Sequence, residues 1–95
     1  MSWMIHSFAN GRSWIGSINT YMELEELLEK YNPNLQFIDC LEGNFFDWLM
    51  INEEYSQEMS NAIENALSDE KIDVVTEGYL FAMKEVLNGG NIIMG

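Results

Sequence analysis

The chain has 95 residues, 47% of them hydrophobic, and it carries 16 acidic side chains against four basic ones, a formal net charge of −12. We predict one acidic domain over residues 1–95, since this apolar content can form a core and argues against disorder. The charge disfavours direct binding to nucleic acid or to an anionic membrane, and the sequence lacks an apolar run of the roughly 18 residues that a transmembrane helix needs.

The first predicted element is a β-hairpin over residues 2–18, centred on Asn10-Gly11. Asn and Gly both tolerate the positive φ that a two-residue type I′ turn requires. Such a turn would pair Phe8 with Ser13 and Ile5 with Gly16, and Gly16 would permit close approach of another group. Apolar side chains fall on both faces of this hairpin: Trp3, Ile5, Trp14 and Ile18 on one, and Met4, Phe8 and Ile15, with His6, on the other.

A helix is predicted next, starting at Thr20, because Thr20 and Glu23 have the spacing of a capping box. Its apolar stripe consists of Leu24, Leu27, Leu28 and Tyr31, and Asn32-Pro33 should end it because the residue before proline avoids helical backbone angles. The short apolar segment Leu35–Leu41, between Pro33 and Gly43, indicates a strand.

Residues 44–67 carry one long apolar stripe with helical spacing: Phe45, Trp48, Tyr55, Met59, Ala62 and Ala66. The segment 45–51 has two interpretations. It is either the buried start of this helix, with Asn44 as N-cap, or a strand followed by a helix that begins near Asn52. We favour the helix, because the stripe continues without a change of phase.

A last helix is predicted after Ser68, which has the character of an N-cap. Its expected buried seam is Ile72, Val75, Tyr79, Met83 and Val86, with Gly78 weakening it by up to about 1 kcal/mol relative to alanine. Asn88-Gly89-Gly90 should end it, and residues 91–95 form a tail or a brief edge strand. The result is an α+β fold of order β-β-α-β-α-α, in which an N-terminal hairpin and one or two further short strands pack against two or three helices.

The sequence contains no recognisable catalytic, cofactor or metal motif. The single histidine, His6, and the single cysteine, Cys40, have no partner motif for nucleophilic chemistry or zinc binding, and 69–77 lacks the ligand pattern of an EF-hand. We therefore expect no enzyme activity, no cofactor and no metal. One unpaired cysteine and the absence of a basic signal-peptide region indicate a cytoplasmic protein.

Clustered acids are the feature most informative about function. A surface that accepts repeated like-charge neighbours can substitute for the charge of a nucleic acid backbone and attract Arg and Lys. We expect an inhibitor that neutralises a basic nuclease or other nucleic-acid-binding protein, as a nucleic-acid mimic of the anti-restriction or anti-CRISPR kind or as a nuclease-toxin immunity protein. The predicted partner-binding residues are Glu53, Glu54, Glu58, Glu64, Asp69, Glu70, Asp73 and Glu77.

The alternative is a structural or regulatory module that acts by self-association. Three Trp, five Phe and seven Met are many for one small core. Aromatic residues and Met are enriched at interfaces, so a homodimer through this surplus is the competing expectation.

Overall fold

The described residues form a four-stranded antiparallel sheet in which the first and last strands of the chain lie side by side at the centre. The computed structural model describes residues 2–33, 35, 49–87 and 90–95. Within them the elements are β1 (Ser2–Ser7), β2 (Ser13–Ser17), α1 (Ile18–Tyr31), β3 (Leu49–Ile51), α2 (Glu53–Leu67), α3 (Val74–Leu87) and β4 (Ile92–Met94). The strand order in the sheet is β2-β1-β4-β3, so the predicted α+β class is confirmed, with two short strands, β3 and β4, besides the hairpin.

The central pairing of the sheet joins the first and last strands of the chain. Ile5 lies opposite Met94 and Ser7 opposite Ile92, and all four are completely buried. Met4 and Gly95 extend the ladder through two reciprocal backbone hydrogen bonds, of 2.8 and 2.9 Å. The prediction that residues 91–95 form at most an edge strand is therefore wrong, since β4 has a hydrogen-bonded neighbour on each side.

The predicted hairpin forms, but its register differs by two residues. Ile5 pairs with Trp14 and His6 with Ser13, and the loop has four residues, closed by a 2.9 Å bond from the Ser7 amide to the Arg12 carbonyl. A type I′ turn does not form because, of the two central residues, only Gly11 has a positive φ. The Asn10 side chain instead donates to the Glu85 carbonyl near the end of α3 and accepts from the Arg12 amide.

Helix α1 has its N-cap three residues before Thr20, the cap that the capping box predicted. Ser17, the last residue of β2, is its N-cap, and the Ser17 hydroxyl oxygen accepts the Thr20 amide at 3.1 Å. The predicted end is confirmed, since Tyr31 is the last helical residue and Asn32 is the C-cap. Of the predicted stripe, Leu24 and Leu28 are buried, whereas Leu27 and Tyr31 are half-buried.

The favoured helical interpretation of residues 45–51 is wrong where the structure describes it. Leu49–Ile51 is strand β3, paired with β4, and α2 starts at Glu53 with Asn52 as N-cap. The Asn52 side-chain oxygen accepts the Tyr55 amide at 3.0 Å, so an N-cap at this position divides the continuous stripe into strand and helix. Residues 44–48, most of the predicted strand Leu35–Leu41, and Cys40 lie outside the described residues.

Helix α3 differs from the prediction in both its start and its buried seam. Asp73, not Ser68, is the cap residue: its carboxylate accepts the Thr76 amide at 2.7 Å, whereas Ser68 ends α2. The buried residues are Leu80, Met83, Val86 and Leu87. Val75 and Tyr79, predicted to be buried, are 68% and 42% exposed.

One hydrophobic core lies between the sheet and the helices. Helix α2 packs against both α1 and α3, and Met59, Ala62, Ile63 and Ala66 of α2 are fully buried. Tyr21 of α1 stacks on Trp3 of the hairpin, with ring centroids 4.9 Å apart, and it also contacts Trp14. The helices therefore cover one face of the sheet, here called the inner face.

Two glycines give opposite predictions for replacement by alanine. A Cβ at Gly16 would lie 2.7 Å from the ring of buried Trp14, so we expect Gly16→Ala to lower the free energy of unfolding by about 1–3 kcal/mol through overpacking. A Cβ at Gly78 meets no atom within 4 Å, so Gly78→Ala should raise it by about 0.5–1 kcal/mol through helix propensity. Urea unfolding measures both, and equal effects of the two substitutions would contradict the packing described for Trp14.

Candidate protein-binding surfaces

The start of α2 presents a shallow surface whose lining side chains all end in a carboxylate or an amide. We call it the α2 acidic surface; it consists of Asn52, Glu53, Glu54, Gln57, Glu58, Asn61 and Asn91. Glu53 and Glu54 are exposed in the first turn, and Glu58 lies one turn after Glu54, about 6 Å along the helix axis. Three of the eight predicted partner-binding residues are thus brought together here.

Helix physics explains part of this arrangement. Negative charge in the first turn is stabilised by the positive end of the helix dipole, which accounts for Glu53 and Glu54. The dipole effect fades within one turn, so it does not account for Glu58, which lies at i,i+4 from Glu54 and repels it. The helix dipole therefore accounts for two of the three carboxylates of this surface.

Glu64, the fourth predicted residue of α2, lies apart from that surface. Its carboxylate forms a salt bridge of 2.7 Å with Lys84 of α3. Partly exposed pairs of this kind contribute at most about 1 kcal/mol, so the pair mainly fixes two side chains between adjacent helices.

Two acids of the second predicted cluster have local structural roles. The Tyr31 hydroxyl donates to the Asp69 carboxylate, and this bond, with a 2.9 Å bond from the Lys71 amide, lowers the pKa of Asp69. The same contact raises the pKa of Tyr31. Asp73 caps α3, and the amide and hydroxyl of Thr76 lower its pKa. Of this cluster, Glu70 and Glu77 remain as exposed carboxylates.

A groove between α1 and the start of α3 was missed by the sequence analysis. We call it the α1–α3 groove; its volume is about 490 Å³ and its lining is Thr20, Glu23, Leu24, Glu26, Leu27 and Lys30 of α1 with Asp73, Val74, Val75, Thr76 and Tyr79. The sequence of α3 contains two competing apolar stripes, and this competition is the signal that could have indicated the groove. Of the predicted stripe only Met83 and Val86 are buried, together with Leu80 and Leu87, which leaves Val75 and Tyr79 for the groove.

The sheet face opposite the helices, here called the outer sheet face, is also apolar. Met4, His6, Phe8 and Ile93 line a small depression on it. Ile15 and Met50, whose strand partners on this face are Met4 and Ile93, are 66% and 69% exposed. The inner face of the hairpin is covered by the helices, whereas on its outer face Phe8 and Ile15 are exposed and Met4 and His6 are half-buried.

The corrected register places Ser13 opposite His6 on the outer sheet face. His6 Nδ1 and Ser13 Oγ are 2.6 Å apart, and Phe8 packs edge-on against the imidazole at 5.7 Å. A serine nucleophile needs a base that is itself oriented by a further group and a donor pair for an oxyanion. Among the described residues no carboxylate hydrogen-bonds to His6, so the pair lacks that third member.

The described part of the chain shows no cluster of three or more His, Cys, Asp or Glu side chains that could hold a metal ion. Nor does any helix described there have the length and apolar content needed to cross a bilayer. Comparisons of the chain with protein-family models, with curated proteins and with solved structures find no match.

Acid unfolding should report the two depressed aspartate pKa values. A carboxyl whose pKa is lower in the folded state adds stability that is complete above its unfolded pKa, about 3.9, and is lost as the pH falls through the folded value. The Asp69→Asn/Asp73→Asn variant keeps an oxygen at the N-cap of α3. We expect its melting temperature to fall less than that of the parent chain when the pH is lowered from 4.5 to 2.5.

The matched control is Glu29→Gln/Glu70→Gln, which removes the same charge and neither of these hydrogen-bonded carboxylates. Its melting temperature should fall with pH as steeply as that of the parent chain. Identical pH profiles for both double variants would contradict the assigned roles of Asp69 and Asp73.

Proposed function

We propose that this protein is a cytoplasmic, non-enzymatic inhibitor that binds and neutralises a basic nucleic-acid-handling protein. The targets that suit it are a restriction enzyme, a CRISPR effector or a nuclease toxin, each of which holds nucleic acid on a cationic surface. The candidate contacts are the eight acids Glu53, Glu54, Glu58, Glu64, Asp69, Glu70, Asp73 and Glu77, with those of the α2 acidic surface foremost.

The α2 acidic surface is the observation that carries this proposal. All seven of its lining residues offer carboxylate or amide oxygens, and none of them is a cation. A guanidinium group pairs best with carboxylates in a planar fork, and neighbouring amides can complete its remaining hydrogen bonds. A surface of this composition therefore suits the Arg and Lys side chains with which a protein holds phosphates.

The distribution of the four basic residues supports the same interpretation. Arg12 and Lys84 are held in salt bridges with Glu85 and Glu64, so their charges are locally compensated. Lys30 and Lys71 lie outside the α2 acidic surface. The field near that surface is accordingly negative, which raises the association rate with a cationic protein and repels free nucleic acid.

Inhibition of DNA cleavage tests the proposal directly. The assay measures cleavage by a CRISPR effector, a restriction endonuclease and a nuclease toxin domain in the presence of increasing concentrations of the protein. We expect inhibition of at least one of them, and we expect Glu53→Gln/Glu54→Gln to raise the inhibitory concentration about tenfold or more, since charge-assisted hydrogen bonds are worth about 1.5–3 kcal/mol each.

The control is Glu70→Gln/Glu77→Gln, which removes the same net charge from the second cluster. It should raise the inhibitory concentration less than the α2 variant does. Equal losses would mean that total charge, and not the α2 acidic surface, sets the affinity; no inhibition of any enzyme in the panel would count against the proposal itself.

Self-association is the second candidate function, and the outer sheet face favours it. Phe8, Ile15 and Met50 expose more than half of their surface on or beside one sheet face. Two such faces could stack as sheets do in a sandwich, at a separation of about 10 Å. Self-association would then bury side chains that are exposed in the single chain.

Light scattering over a concentration series separates the two functions. If the chain associates through this face, Ile15→Lys should shift it to the monomer, whereas Met22→Lys, at an exposed apolar position of α1, should not. A parent chain that stays monomeric at high micromolar concentration, with a melting temperature independent of concentration, would exclude the second function.

A further inference from the structure

The α1–α3 groove combines an apolar interior with exposed apolar side chains at one edge. Leu24 is buried and Leu27 half-buried at the α1 wall. Val74 and Val75, in the first turn of α3, are 84% and 68% exposed, and Tyr79 is 42% exposed one turn further on. Three large apolar side chains side by side in solvent gain nothing for the isolated chain, but they would stabilise a complex in which they are covered.

Charge on the groove is opposite to that of a basic partner. Glu23 and Glu26 lie on the α1 wall and Asp73 on the α3 wall, whereas Lys30 is the one cation in the lining. Carboxylates thus occur on both sides of the apolar interior. A ligand that is complementary to this groove has an apolar strip with cations along both flanks.

Both walls of the groove are helices, which decides the kind of segment that fits. The backbone groups of α1 and α3 are largely used within the helices and their caps, so they offer no strand edge to which an extended peptide could add. Recognition must therefore come from side chains, as when an amphipathic helix lies in a groove between helices. The lining residues of α1 run from Thr20 to Lys30 and give a wall about 15 Å long, enough for about three turns of a bound helix.

We propose that the α1–α3 groove binds an amphipathic helix of the partner, with Leu-like side chains against Leu27, Val75 and Tyr79 and with Lys or Arg beside Glu23, Glu26 and Asp73. This inference rests on the proposed function, because it names the part of a basic protein that the chain would hold. It adds a second contact area on residues other than those of the α2 acidic surface.

A designed peptide tests the groove without knowledge of the target. The probe is a fluorescent helix-forming peptide of about 18 residues, with a leucine stripe flanked on both sides by lysine and arginine. One control peptide replaces the cations by glutamine, and another has the same composition in an order that destroys the stripe. Anisotropy titration should show binding of the probe and at least about tenfold weaker binding of both controls.

Paired variants of the protein locate the binding. Val75→Ser/Tyr79→Ser should weaken binding of the probe about tenfold or more. Phe81→Ser, at an exposed position of α3 outside the groove lining, should change the affinity less than about twofold. Glu23→Gln/Glu26→Gln should weaken it about tenfold, and Glu29→Gln/Glu70→Gln, with the same charge change, should weaken it clearly less.

Absence of probe binding at high micromolar concentration, or binding that the groove variants and their controls weaken equally, would overturn the inference. The peptide titration reports the groove alone, whereas inhibition of DNA cleavage reports every contact with the target, the α2 acidic surface included. If the peptide does not bind but inhibition of DNA cleavage is retained, the proposal for the groove is overturned and the proposed function stands. Probe binding that depends on the groove, together with inhibition lost in Val75→Ser/Tyr79→Ser, supports it.

Discussion

The pairing of β1 with β4 is the constraint on which the remaining structure depends. It places residues from both ends of the described chain in the middle of the sheet, where Ile5, Ile92 and Met94 are completely buried. The connections to the outer strands then bring α1, α2 and α3 to the inner face, with α2 between its two neighbours. The outer sheet face and the solvent sides of the helices remain for interaction, and most carboxylates of the described residues lie on the helices.

Periodicity in the sequence predicted the fold class and the two faces of the hairpin. It predicted the register of the paired strands less well. Trp3, Ile5 and Trp14 share one face as expected, because a shift of two residues in a strand pair preserves the alternation of faces. The register itself depended on Asn10, whose side chain binds Glu85 and Arg12, and such distant contacts leave no local pattern. In α3 the packing buries Leu80 and Leu87 together with Met83 and Val86 of the predicted seam, and it leaves Val75 and Tyr79 exposed.

The candidate sites were predictable to a different degree. An acidic surface on α2 followed from the spacing of Glu54 and Glu58, which a helix fixes without reference to the rest of the fold. The separate roles of the acids could not be predicted, because Asp69 and Asp73 acquire them from Tyr31 and from the start of α3. The α1–α3 groove could not be predicted from the sequence, because it exists only once two helices distant in sequence pack against a third.

The proposed inhibition requires that carboxylates on a rigid helix attract and hold a cationic protein surface. The deciding measurement is the association rate constant with the inhibited enzyme, from low to high salt. At physiological ionic strength charges are screened beyond about 8 Å, so we expect an association rate that falls steeply with salt while the dissociation rate changes less. An association rate independent of salt would contradict this expectation. The acidic residues would then be only a hydrated surface with no role in binding.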